Sequence, residues 1–255
     1  MTIDFYGAQG WSTRTQAEPL DRERRSLDLL LRVLRNAPAG RALDVLDVGC
    51  GDGTFLAHLD RRVQRELPDL KARFVGAEYS VHQLEAAAQL PYEFHQCDLN
   101  VGLPLPGESI DIIYAGELIE HLQDPDLLIE ECGRVLRPRG WLLLTTPNPH
   151  AWYNRVLFAA GVQPLFFETS TRSTEVGAGP LRRLKKDSRP VGHLRLFNRT
   201  ALSDLLRREG FERRVVTGAG FHALPGPVAW VDRAMNAWPT MASNLVVLAR
   251  KPRPS

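Results

Sequence analysis

A chain of 255 residues, 44% of them hydrophobic, can bury one large domain or a domain with a cap, which argues against disorder. Its 32 Lys and Arg against 30 Asp and Glu leave a net charge of +2, so no strong field argues for a polyanionic partner. The 3 cysteines, Cys50, Cys97 and Cys132, form no C-x-x-C pair, and the odd number suits a reducing compartment with each acting as a small packing residue. Met1-Thr2-Ile3-Asp4 opens no basic-then-apolar leader, and no apolar run approaches a membrane span. A soluble cytoplasmic protein is expected.

Residues 1–16 carry Tyr6, Trp11 and Arg14 without a helical period and read as a tail or a flap. From Glu18, Leu20, Leu27, Leu31 and Leu34 recur on one face, giving a helix that ends near Asn36, before Pro38 and Gly40. Strand, helix, strand then repeats, which favours a parallel sheet covered on both faces. The apolar run over residues 42–48 forms the first strand and Ala72–Ala77 the second, followed by a helix over Ser80–Gln89; Tyr92–Gln96 is the third strand, Ile110–Tyr114 the fourth and Trp141–Thr145 the fifth. Asp124 as N-cap with Pro125 behind it launches a helix through Leu136.

From Thr146 to Pro190 the rhythm breaks into a Pro- and Gly-punctuated stretch with one helix, Trp152–Ala160; such segments serve as lids or caps. A helix (Thr200–Glu209) and strands at Arg213–Val216 and Asn244–Ala249 complete the chain. Four parts follow: an N-terminal flap and helix (1–40), a core (41–147), a cap insertion (148–195) and the C-terminal part of the sheet (196–255), which holds a second insertion at 218–241 with Trp230 and Trp238.

The run V-L-D-V-G-C-G-D-G-T-F, Val45 to Phe55, is a buried strand that stops in Gly49, Gly51 and Gly53 and restarts as a helix, so that backbone can approach a ligand closely. In a doubly wound sheet the ligand lies outside the C-terminal strand ends. Glu78 and Asp98 fall at such ends, and a carboxylate there can satisfy both hydroxyls of a ribose. A nucleoside-bearing cofactor is the natural occupant. Thr54 stands where a dinucleotide loop needs its third Gly or Ala, and no Walker Lys and Ser follow.

The G-x-G-x-G loop, with V-G-A-E-Y-S, C-D-L-N, I-D-I-I-Y-A-G-E-L-I-E-H-L-Q-D-P and V-L-R-P-R-G-W-L-L-L-T-T-P-N-P in that order, resembles the class I S-adenosylmethionine-dependent methyltransferases, and is similar to their quinone and natural-product O-methyltransferases. The resemblance covers Asp44 to Asn148 and the C-terminal helix and strands. It implies a mostly parallel, doubly wound seven-stranded Rossmann-like sheet, with S-adenosylmethionine as cofactor. It also implies that Asp47, Gly49, Cys50 and Gly51 hold the methionine part, Glu78 with Tyr79 the ribose, Asp98 with Leu99 the adenine, and Ala115, Gly116 and Glu117 the floor.

The implied reaction is in-line methyl transfer to a small-molecule acceptor. His193, in G-H-L-R-L-F, and His121, in E-L-I-E-H, are the candidate catalytic residues, with His150 a weaker third. Glu117, Glu120 and His121 stand at i, i+3 and i+4 and would share a helical face, as in some metal-dependent relatives, but no metal is assigned because E-H-x-x-D-P also occurs in relatives that need none. No N/D-P-P-Y/F follows the fourth strand, which favours an oxygen acceptor or a less specialised nitrogen. An RNA or protein methyltransferase and a non-catalytic scaffold stay open as alternatives. The basic cluster Arg182, Arg183, Lys185, Lys186 and Arg189 lacks the aromatic interleaving of an RNA surface, so nucleic acid is disfavoured; a monomer or homodimer is expected.

Overall fold

The computed structural model describes residues 18–38, 40–183, 190–222, 224 and 226–253. Tyr6, Trp11, Arg14, Lys185, Lys186 and Arg189 lie outside these, so the flap and most of the basic cluster are not part of the description below.

Helix α1 (Asp21–Arg35) precedes strand β1 (Leu43–Val48), α2 (Thr54–Glu66), β2 (Ala72–Glu78), α3 (Val81–Ala87), β3 (Glu93–Gln96) and β4 (Ile110–Gly116). After these come α4 (Pro125–Val135), β5 (Leu136–Pro147), α5 (Trp152–Ala159), α6 (Arg199–Arg208), β6 (Glu212–Ala219), α7 (Gly226–Met235) and β7 (Asn244–Arg250). The strands make one seven-stranded sheet in the order β3-β2-β1-β4-β5-β7-β6. Only β7 runs against its neighbours, pairing antiparallel with β5 and β6.

Alternation along β1 divides the core. Leu43 and Val45 face a layer with Leu27, Leu30 and Leu34 of α1 and Leu56 and Leu59 of α2. Leu46 and Val48 face the other layer, with Leu128 and Ile129 of α4 and Leu202 and Leu206 of α6. Each fully buried leucine contributes about 2 kcal/mol, so both helical layers are held by burial.

Several boundaries differ from the sequence reading, among them those of β5 and α3. The chain leaves α4 at Val135 and enters β5 at once, because Leu136 pairs with Ile110 ahead of Pro138 and Gly140; the strand therefore starts five residues before Trp141. Helix α3 is shorter than Ser80–Gln89, with Ser80 as its N-cap accepting from the Gln83 amide.

The sheet ends differ in charge. At the N-terminal ends Asp44 and Asp111 are matched by Arg41, Arg73 and Arg137. At the C-terminal ends Asp47, Glu78, Asp98, Glu117 and Glu120 gather, with Arg22 paired to Glu117 at 3.3 Å. Among the described residues no helix is long and apolar enough to cross a membrane.

Candidate active site

The strand order reverses between β1 and β4, and the crevice at that switch point is where a doubly wound sheet takes its ligand. The glycine loop forms one wall. Gly51 sits at φ +53, and a side chain there would point into open space, so the loop presents bare backbone to the crevice. Gly53, at φ +76, lies so close to Leu90 that a Cβ would come within 2.7 Å of it.

Glu78 is preset by backbone. Its Oε2 accepts from the Gly51 amide at 2.9 Å, and its Oε1 from the Tyr79 and Ser80 amides at 2.8 and 2.9 Å. The carboxylate thus ties β2 to the glycine loop and keeps one lone pair, on Oε2, for a ligand hydroxyl. Tyr79 is half exposed beside it. Asp98 accepts through Oδ1 from the Asn100 amide and side chain, both at 2.9 Å, followed by buried Leu99.

Asp47 closes the inner end, 2% exposed, and burial, followed by the charge of Glu78, pushes its pKa well up. A buried carboxylate among other acids suits a cationic ligand. Below it the Tyr114 ring stacks on Phe55 with centroids 3.7 Å apart, and a Cβ at Gly116 would collide with the Tyr114 hydroxyl. Ala115 is fully buried beside them. Burial drives the Cys50 thiol up and that of Cys97 to about 11, so both are inert packing groups, as is buried Cys132.

Glu117 takes φ +53, a conformation a non-glycine residue adopts only where surroundings enforce it. Thr145 does so: its Oγ1 donates to Glu117 Oε1 at 2.9 Å, and its carbonyl accepts from the Glu117 amide at 3.0 Å. Burial is the largest influence on Arg22 and would lower its pKa, but Glu117, Tyr114, Glu23 and Glu120 together outweigh it and the value is raised. Arg22 is one of several arginines on the polar faces of the α1 segment, and nothing in the local pattern singles it out. Its role is visible only because the start of α1 lies over the C-terminal ends of the strands.

The expected shared helical face of Glu117, Glu120 and His121 does not form. Residues Ile119–His121 make a single 3-10 turn, so Glu117 points to Arg22 and Thr145, while Glu120 turns toward His121. Instead His193 joins: Glu120, His121 and His193 each offer a ligand atom within 4.8 Å of the others. Glu120 is 1% exposed; its Oε2 accepts from Thr146 Oγ1 at 2.9 Å and its Oε1 has no hydrogen-bond partner. Burial, then the Glu117 charge, raises its pKa well above the usual range.

The two histidine rings lie 5.0 Å apart between centroids. His121 Nδ1 is 3.2 Å from the Gly192 carbonyl and His193 Nδ1 is 3.3 Å from the Phe166 carbonyl. Donation from each Nδ1–H selects the tautomer with the basic lone pair on Nε2. Burial lowers the pKa of both, that of His121 to about 4. Glu168 holds the return of the cap: its carboxylate accepts from the amides of Val191, Gly192 and His193 at 2.7 to 3.0 Å. No local motif announces Glu168. His150 is exposed and stands apart from this cluster, its amide bound to Asn148 Oδ1.

The Methyltransferase domain family model matches residues 20–216. A Mycolicibacterium smegmatis protein described as a "probable S-adenosylmethionine-dependent methyltransferase" is 31% identical over 199 residues, 76% of this chain and 61% of its own length. A ubiquinone biosynthesis O-methyltransferase of Chelativorans sp. is 33% identical over 122 residues, 45% of this chain and 44% of its own length. The chain thus spans about three fifths or less of these relatives. Among solved structures, an S-adenosylmethionine-dependent methyltransferase from Mesorhizobium loti aligns over 90% of this chain and 98% of its own, with a TM-score of 0.56 at 18% identity. The [4+2]-cyclase SpnF aligns over 90% and 81%, with a TM-score of 0.54 at 21% identity. At these identities the likeness speaks for the fold alone.

A doubly wound sheet with a glycine loop and an acid at each successive strand end defines a class I nucleoside-cofactor fold. The chain belongs to the methyltransferase-domain family, within the class I S-adenosylmethionine-dependent methyltransferase superfamily, a family of enzymes whose cofactor is S-adenosylmethionine.

Proposed function

We propose that the chain transfers the methyl group of S-adenosylmethionine to an oxygen of a small-molecule acceptor. The observation that supports this most is the His121–His193 pair, set beyond the acid-lined cofactor crevice at a ring separation of 5.0 Å. The cofactor supplies an electrophilic methyl on a sulfonium and departs as a neutral thioether, so positioning and a dry pocket provide most of the acceleration. Asp47, Glu78 and Asp98, with the glycine-loop amides, bind and orient it. Neutral imidazoles with Nε2 basic then take the acceptor hydroxyl's proton. The name of the Chelativorans relative, a ubiquinone biosynthesis O-methyltransferase, agrees with an oxygen acceptor.

A divalent cation is the second reading of the same cluster. Glu120, whose Oε1 has no hydrogen-bond partner, with one ring nitrogen each from His121 and His193, is a donor set that fits such an ion. These three side chains would hold it, and it would polarise the acceptor hydroxyl. Calorimetry with S-adenosylhomocysteine tests cofactor use, and tritiated methyl transfer to a panel of phenols, carboxylates and amines tests the acceptor. Transfer to amines alone would overturn the oxygen reading.

A further inference from the structure

The segment 191–195, which brings the chain back from the cap toward α6, has all five of its backbone amides committed. That of Val191 donates to Glu168 Oε1 at 2.7 Å, and those of Gly192 and His193 to Glu168 Oε2 at 2.7 and 3.0 Å. Those of Leu194 and Arg195 donate to the Glu120 carbonyl at 2.8 and 3.0 Å. The segment is therefore a strap, held at one end by one side chain of the cap and at the other by the turn that carries Glu120 and His121. No Lys or Arg pairs with Glu168 among the described residues, so the three amides are the donors that offset its charge.

Both imidazoles depend on this strap. The His193 amide and the Gly192 carbonyl belong to one peptide unit, which is planar, so fixing the direction of its N–H fixes that of its C=O. Glu168 takes the N–H, and the C=O faces His121 Nδ1 at 3.2 Å. His193 itself lies in the strap, and its Nδ1 faces the Phe166 carbonyl at 3.3 Å, two residues ahead of Glu168. That carbonyl is fixed too: Phe166 takes φ +73, and its ring packs edge-on to those of His193 and Phe221 at 5.8 and 5.3 Å. A carboxylate suits this place because it accepts from several N–H groups at once and bonds them more strongly than a neutral oxygen does.

We propose that Glu168 is a positioning residue of the active site, which through the Gly192–His193 peptide and the strap holds His121 and His193 in one tautomer. This rests on the reading of the two histidines as the groups that take the acceptor's proton. Without the carboxylate the peptide plane is free to turn, the Gly192 carbonyl leaves His121, and the ring exchanges its proton between Nδ1 and Nε2. The fraction with Nε2 protonated has no lone pair there to accept with.

Nitrogen NMR of the imidazoles in the full chain as purified tests this, comparing wild type, E168A and E168Q, with H121Q and H193Q to assign the two rings. Expected are Nδ1–H tautomers for both rings in the wild type, mixed tautomers in E168A, and an intermediate state in E168Q, whose amide keeps one acceptor oxygen. The Val191, Gly192 and His193 amides are expected to be protected from deuterium exchange in the wild type, a measurement that needs no variant to fold. S-adenosylhomocysteine affinity by calorimetry stays unchanged in E168A and E168Q, which shows that the cofactor crevice is intact, while tritiated methyl transfer falls about tenfold in E168A. Unchanged ring tautomers in E168A, or unprotected amides in the wild type, overturn the proposal. Mixed tautomers in E168A together with undiminished transfer by H121Q/H193Q uphold the positioning and sink the proton-acceptor reading instead.

Discussion

His121 and His193 stand with ring centroids 5.0 Å apart, one just past the end of β4 and the other where the cap returns to the core. Their Nδ1 atoms face backbone carbonyls of the cap, those of Gly192 and Phe166, so the cap itself sets the tautomer of the pair. Positioning of the two imidazoles therefore depends on how the cap packs on the core.

Stability should fall with acid through this pair. Burial depresses the His121 pKa from 6.5 to about 4, and that of His193 in the same direction. Between those values the unfolded chain binds a proton that folded His121 refuses, so the contribution is complete above about pH 6.5 and lost as pH falls toward about 4. For His121 this is on the order of 3 kcal/mol. Thermal unfolding of chelator-treated protein at stepped pH should show a steep decline that flattens in His121→Gln; parallel curves would contradict the assignment.

Glu78→Gln keeps the volume but removes the charge that would accept from a ribose diol. S-adenosylhomocysteine affinity is expected to drop about tenfold, equivalent to ~1.4 kcal/mol. Wild-type affinity in this variant, measured by isothermal calorimetry, would place the ribose elsewhere.

Asp232→Ala leaves the Trp152 indole, the Phe221 amide and the Ser243 hydroxyl without their shared acceptor. A cost of about 3 kcal/mol is expected, read as a lower urea midpoint at constant slope. An effect below about 0.5 kcal/mol would mean that water replaces the carboxylate there.

For the Glu120–His121–His193 cluster, the two readings separate by elemental analysis. With the histidines acting as bases alone, protein purified without chelator carries no stoichiometric metal and transfer survives chelation. One equivalent of divalent metal, lost in His193→Ala, assigns the cluster to a cation instead.

The arrangement of the core was legible from residue order alone. Strand-length apolar runs, three loop glycines and an acid after each of β2 and β3 are local patterns, and each maps onto one strand end without knowledge of any other. Asp47, Glu78 and Asp98 could be picked out for that reason. The start of β5 could not, since Pro138 and Gly140 read as breakers until Leu136 is seen paired with Ile110.

What the tertiary structure alone decided lies across long separations. Arg22 reaches Glu117 because α1 packs over the strand ends, and Glu120 forsakes Glu117 for His193 because Ile119–His121 is a 3-10 turn rather than a helix. Glu168 gathers three amides of the returning cap, and α7 keeps Asp232 bonded inside while Trp230 faces outward. The sequence determined the fold, the glycine loop and the strand-end acids, because periodicity and turn chemistry act between near neighbours. The arrangement around Glu120, His121 and His193 depends on which distant side chains satisfy one another's buried polar groups, and that is settled only when the chain is packed.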